Sequence, residues 1–102
     1  MIPLADGGNN IQREVSMKID GVTYRADFIG EKDGVLQIFE VKNGAHAGFT
    51  PNQRIAIPKL QNGNATIIPF GKNALNINEF RYLVPFGKPY TGSYQFNFIR
   101  YY

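Results

Sequence analysis

The chain has 102 residues, 43% of them hydrophobic, with eight Phe, six Tyr and no Cys, and eleven Lys and Arg against eight Asp and Glu give a net charge of +3. That length holds one core and not two, and the composition argues against a disordered segment. The lack of Cys excludes disulfides, thiolate metal sites and a thiol nucleophile, so a metal would need oxygen or imidazole ligands, while the mild positive charge is compatible with a polyanionic partner.

In chain order, Asp6-Gly7-Gly8-Asn9-Asn10 is a cluster of turn formers, and residues 1–10 read as a linker or ragged N-terminus ahead of a single domain over residues 11–102. This start lacks the basic and apolar regions of a signal peptide, and no apolar run approaches the roughly 20 residues that span a bilayer, so any export is expected as the end of something larger. IQREV is expected to make one or two helical turns, too short to persist unless packed. From Val15 the period becomes two: VSMKID and VTYRADFI form a hairpin around Asp20-Gly21, and Asp33-Gly34 joins VTYRADFI to VLQIFEVK in a second. NGAHAGF is a loop, after which Thr50 caps a helix whose first residue is Pro51. Pro58 is expected to kink that helix or end it near Ile57.

ATIIPF, FRYLVPF and YQFNFIRYY read as further strands, the last with Tyr94, Phe96 and Phe98 on one face. That aromatic alternation reads first as packing, with base stacking as its other use. The echo of Pro69-Phe70-Gly71-Lys72 in Pro85-Phe86-Gly87-Lys88 reads as two strand ends turned by Gly, ahead of a phosphate-facing role for Lys72 and Lys88. Strands, helix, strands is an α+β order, a small mixed and mainly antiparallel sheet with one or two short helices.

Three charges in the second hairpin carry the chemical question. Side chains alternate along a strand, so Glu40 and Lys42 share a face, as do Arg25 and Asp27. A two-residue turn pairs Lys32 with Val35 and sets Asp27 opposite Glu40, and a four-residue turn leaves them diagonal on the same face; a three- or five-residue turn separates them. Like charges so placed repel unless a cation lies between them, and Mg²⁺ takes one or two carboxylates plus waters and phosphate oxygens, with the Val41 carbonyl also near. Lys42 would then stand beside the metal, able to orient a water or neutralise charge on a phosphoryl group. The competing reading is a solvated hairpin face, since a lone Glu-x-Lys arises readily by chance. Arg54 and Lys59 on or near the helix, and His46 in the loop, are candidates for contact with a nucleic-acid backbone, against plain solvated charge.

RADF, a hairpin, EVKNG and then FTPNQ together resemble the PD-(D/E)xK nuclease superfamily, and within it the small nuclease domains at the C-termini of bacterial polymorphic toxins, contact-dependent or delivered by type VI secretion. The likeness covers about residues 24–54. It implies a restriction-endonuclease-like core, Asp27 and Glu40 as metal ligands, Lys42 as the motif lysine, Gln53 as an assisting glutamine on the following helix and Glu14 as a glutamate from a preceding helix. Ala26 stands where the motif has proline. The resemblance further implies a Mg²⁺-dependent endonuclease, with Mn²⁺ or Zn²⁺ as other ions and DNA as the favoured substrate. It implies delivery as part of a larger bacterial toxin into the cytoplasm of a target cell, and a cognate immunity protein. An RNase with the same site and a non-catalytic β-rich binding module are the alternatives.

Overall fold

The computed structural model describes residues 9–45, 48–70 and 87–101, with side chains from residue 12 onward. Strands β1 (Asn9–Ile19), β2 (Val22–Lys32) and β3 (Val35–Asn43) run in succession, followed by helix α1 (Pro51–Asn62) and strands β4 (Ile67–Phe70) and β5 (Tyr94–Tyr101). They form a five-stranded sheet in the order β4-β1-β2-β3-β5, antiparallel throughout except for the parallel pair β3 and β5. The domain is α+β, with one helix among the described residues. That helix is not long and apolar enough to cross a membrane.

Both predicted hairpins are present. Ile19 pairs with Val22 around Asp20 (φ 48°) and Gly21 (φ 86°), and Lys32 pairs with Val35 around Asp33 (φ 54°) and Gly34 (φ 78°). Each is a two-residue turn with both central residues left-handed, the geometry that matches strand twist and that Asp-Gly adopts readily. Asp20 also fastens the far end of the helix region. Its amide donates to the Thr66 carbonyl at 2.9 Å, and its carboxylate accepts from the Thr66 amide at 2.7 Å.

One expectation is overturned, and of the two expected effects of Pro58 the earlier helix end is not found. IQREV is not helical: residues 11–15 lie in β1, where Gln12, Arg13 and Val15 pair with Ile29, Phe28 and Ala26. A one-turn helix cannot outweigh ladder hydrogen bonds available along the whole of β2. Pro58 does not end α1, which continues to Asn62 and closes on Gly63 at φ 82°. The proline forfeits one hydrogen bond, but Ala56, Ile57 and Leu60 are buried on both sides of it and hold the turn against the sheet. FRYLVPF, with Lys72, lies outside the described residues.

The core lies between the helix and one face of the sheet: Val15, Met17, Ile19, Tyr24, Ala26, Ile29, Leu36, Ile38, Ala56, Ile57, Leu60 and Ile67. Tyr24 and Ala26 reach this core from even positions of β2, and Ile29 reaches it from an odd one. The strand therefore changes parity between Ala26 and Ile29, while its pairing with β1 keeps one register from Gln12↔Ile29 to Ser16↔Arg25. In β1 the matching irregularity is Glu14, which stands at φ 52° between the pairs Arg13↔Phe28 and Val15↔Ala26. Val15 enters the core while the Arg13 guanidinium lies 5.2 Å from the centre of the Phe28 ring. Both strands turn over at the level of Asp27.

A Cβ on Gly34 would meet nothing within 4 Å, so the cost of replacing it is conformational alone. G34A is expected to lower stability by about 1–2 kcal/mol, read as a shift in urea midpoint with an unchanged slope.

Candidate active site

The parity change opens the site. β2 and β3 pair from Lys32↔Val35 down to Phe28↔Phe39, and there the recorded ladder stops. One step further, Asp27 sends its carboxylate across to the next strand, where Oδ2 accepts the Val41 amide at 2.7 Å. The first turn of α1 sits at the β2 side of the parting strands, and the Asn52 side-chain amide donates to the Thr23 carbonyl at 3.0 Å.

Glu40 lies inside this wedge with 2% of its surface exposed. A buried carboxylate is tolerable only if donors replace its lost water. Tyr24 donates its hydroxyl to Oε1 at 2.6 Å, Gln53 Nε2 donates to Oε2 at 3.3 Å, and Lys42 Nζ lies 3.4 Å from Oε2. Among the described residues no buried side-chain N or O lacks a partner. Burial pushes the Glu40 carboxyl above its usual range; the Tyr24 hydrogen bond opposes that, the negative charge of Asp27 adds to it, and Lys42 opposes it. Burial beside Glu40 raises the Tyr24 hydroxyl as well.

Gln53 ties helix to site. Thr50 Oγ1 accepts the Gln53 amide at 3.1 Å, and Gln53 Oε1 accepts the Thr50 amide at 2.9 Å, a reciprocal capping box. The same Oε1 accepts from Lys42 Nζ at 3.0 Å, so one side chain orients both members of Glu-x-Lys. Lys42 also lies over the Phe49 ring, 5.1 Å from its centre.

Glu40, Lys42 and Gln53 are therefore drawn into one hydrogen-bonded cluster. Asp27 borders it: it lines an open cleft of about 400 Å³ together with Tyr24, Arg25, Ser16, Thr50 and Gln53. It also lines a recess with Arg13, Glu14 and Val41, which brings Glu14 to its neighbourhood from a strand rather than a helix. The Val41 amide is engaged by Asp27. Lys59 is not gathered in; it lies 3.7 Å from Asp20 at the other end of α1. Arg54 is exposed on the helix beyond Gln53, and His46 lies outside the described residues.

Tyr24 is the functional side chain that strand alternation misses. Counting by twos from the turn assigns it to the face away from Glu40, and only the change of parity at Asp27 delivers its hydroxyl to that carboxylate.

A scan against protein-family models, a search of curated proteins and a search of solved structures each returned no match. The functional reading rests on this geometry and on the motif residues.

No three acidic or histidine side chains among the described residues form a cage for a metal ion. The carboxylates a hard cation would use are Asp27, which borders the cleft, and Glu40, whose Oε1 keeps a lone pair beyond the single Tyr24 bond. Mg²⁺ needs no more protein ligands than this, and an all-oxygen pair suits Mg²⁺ or Mn²⁺ better than Zn²⁺.

Two outcomes follow from these contacts. T50A, which removes one cap acceptor, is expected to cost about 1 kcal/mol in chemical denaturation, and Q53A is expected to cost more because it also strips a donor from Glu40 and an acceptor from Lys42. E40Q behaves oppositely. A carboxyl raised in the fold holds its proton longer than in the unfolded chain, so stability falls as pH rises from the ordinary carboxylate value through the raised one. E40Q removes that loss, and its melting temperature should exceed wild type at about pH 8 and converge with it at about pH 4.

Proposed function

We propose that this chain is a metal-dependent endonuclease domain with a PD-(D/E)xK-type site on a restriction-endonuclease-like core, acting on DNA. The observation that carries the proposal is the buried Glu40 carboxylate joined to Lys42 and Gln53, with Asp27 at the parting of the two strands. A stability role alone accounts poorly for it. A buried charge with a raised affinity for protons is costly, and an apolar residue of similar volume would do better there.

In this reading Asp27 and Glu40 hold Mg²⁺ or Mn²⁺. When bound, the ion supplies Lewis-acid activation of water and of the phosphoryl oxygens. Gln53 Oε1 and Glu40 Oε2 engage two of the three N–H directions of Lys42, leaving one to orient the hydrolytic water or to meet negative charge growing on the phosphoryl group. Tyr24 and Gln53 keep the Glu40 carboxylate in one orientation, which lowers the reorganisation required during reaction. Arg25 lines the cleft and offers a contact to the phosphodiester backbone, and exposed Arg54 a second; Lys59, committed to Asp20, contributes little. The motif likeness to toxin nuclease domains supports reading the chain as a domain of a larger delivered protein that acts in the cytoplasm of a competitor, with a cognate immunity protein as its partner.

Incubation of plasmid DNA and total RNA with the protein, with Mg²⁺ or Mn²⁺ and with EDTA, tests the reading directly. Divalent-dependent nicking of the plasmid is expected. D27A and E40A should abolish it, and K42A should lower kcat by about 10²–10⁴-fold with the fold intact by circular dichroism. Cleavage that survives EDTA or D27A would overturn the metal mechanism; cleavage of RNA alone would reassign the substrate; binding without cleavage would leave a β-rich recognition module.

A further inference from the structure

Two aromatic rings border the cluster, Phe49 and Phe98, and the chemistry above uses neither. Glu40 pairs in register with Phe98 of β5, and Lys42 with Arg100. Phe98 is 39% exposed, although its strand neighbour Glu40 is fully enclosed. Its ring meets that of Phe49 at 5.7 Å between centres with the planes tilted by 44°. A cation stands over each ring, Lys42 at 5.1 Å from the Phe49 centre and Arg100 at 5.5 Å from the Phe98 centre. The result is a continuous row of ammonium, two aromatic rings and guanidinium that begins at Lys42 and runs outward. Beside it, Phe49, Gln53, Arg54, Ile57 and Pro58 line a mostly apolar cavity of about 320 Å³, at the small end of the range for ligand pockets. Gln53 faces both this cavity and the catalytic cluster.

We infer that Phe49 and Phe98, with the adjoining cavity, form a nucleobase-stacking subsite that takes the base next to the scissile phosphate. The inference rests on the nuclease reading of the Glu40 and Lys42 cluster and adds to it a substrate form. Aromatic faces stack any base, and the flanking cations, Arg100 held by the Gly44 carbonyl at 2.7 Å and Lys42 by Gln53 and Glu40, add fixed positive charge beside the rings, a combination that suits nucleic acid and not an apolar peptide. A base can reach a ring only after leaving its own stack. The preferred substrate is therefore single-stranded or locally unpaired.

The test is binding without turnover. Wild-type protein in EDTA is titrated with short oligonucleotides carrying one 2-aminopurine, single-stranded and duplex, in deoxy and ribo forms. Single strands should bind more tightly than duplex and show a change in 2-aminopurine fluorescence at saturation. F98L, which keeps an apolar side chain on β5, should weaken single-strand binding by about 5- to 100-fold and leave duplex binding near wild type, with an unchanged melting temperature certifying the fold. F49L should weaken single-strand binding likewise; because Phe49 also packs against the core, its comparison is made at a temperature below the midpoint of its own melting curve. Equal affinity for single strand and duplex, or single-strand binding indifferent to both substitutions, would overturn the subsite. Because the titration is run without metal and reads binding and not cleavage, loss of the subsite leaves the hydrolytic reading standing. Cleavage absent alongside intact stacking would remove the nuclease and keep the binding surface. A preference for the ribo strand identifies RNA as the source of the base, and the reverse identifies DNA.

Discussion

Keeping the Glu40 carboxylate out of water is the constraint around which the surrounding structure is arranged. With 2% exposure it needs protein donors, and it takes one from each of three elements: Tyr24 from β2, Lys42 from its own strand and Gln53 from α1. Hydrogen bonds to a charged acceptor are individually strong, roughly 1.5–3 kcal/mol, yet together they only offset desolvation. The carboxyl is still pushed toward its protonated form. Stability is given up locally for a charge held ready, the arrangement expected where binding or catalysis uses that charge.

The supports of that charge are also supports of the fold. Gln53 closes the N-terminus of α1 through the capping box and, with the other face of the same amide, fixes Lys42 and Glu40. The first helical turn is thus part of the site and cannot be treated as a neutral spacer. On the β2 side, Asp27 occupies the point where the ladder gives way and replaces a missing strand partner by accepting the Val41 amide. An acid at this position satisfies the backbone and presents charge to the cleft at once.

Much of this was legible in the sequence where local chemistry decides structure. Asp20-Gly21 and Asp33-Gly34 specify two-residue turns because few other pairs accept two left-handed conformations in a row, and the second turn sets the register from Lys32↔Val35 to Phe28↔Phe39. Thr50-Pro51 marks the helix start for equally local reasons. What the residues did not disclose depends on distant partners. IQREV has no strong preference of its own and becomes strand because β2 offers a ladder. Pro58 is tolerated because Ile57 and Leu60 are buried. The change of parity at Asp27, with Glu14 held at a positive φ across from it, has no compositional signal, and with it the role of Tyr24 stayed hidden. The letters of Asp27, Glu40, Lys42 and Gln53 suggested a site, whereas the geometry shows how Glu40, Lys42 and Gln53 share their hydrogen bonds.

The parallel pairing of β3 with β5 carries a kinetic consequence. The β1–β2 and β2–β3 pairs are made by tight turns, but β1 pairs with distant β4, and at the other edge the Asn97 side chain reaches Gln37 across 60 residues of chain. Closing so long a loop is slow, and the hairpins and α1 can form well before it. Until β5 arrives, β3 is an open edge lined with unpaired amides and carbonyls, the kind of surface that adheres to other strands. Refolding should therefore pass through a sticky intermediate whose lifetime is set by the docking of the last strand, and yield should fall as protein concentration rises.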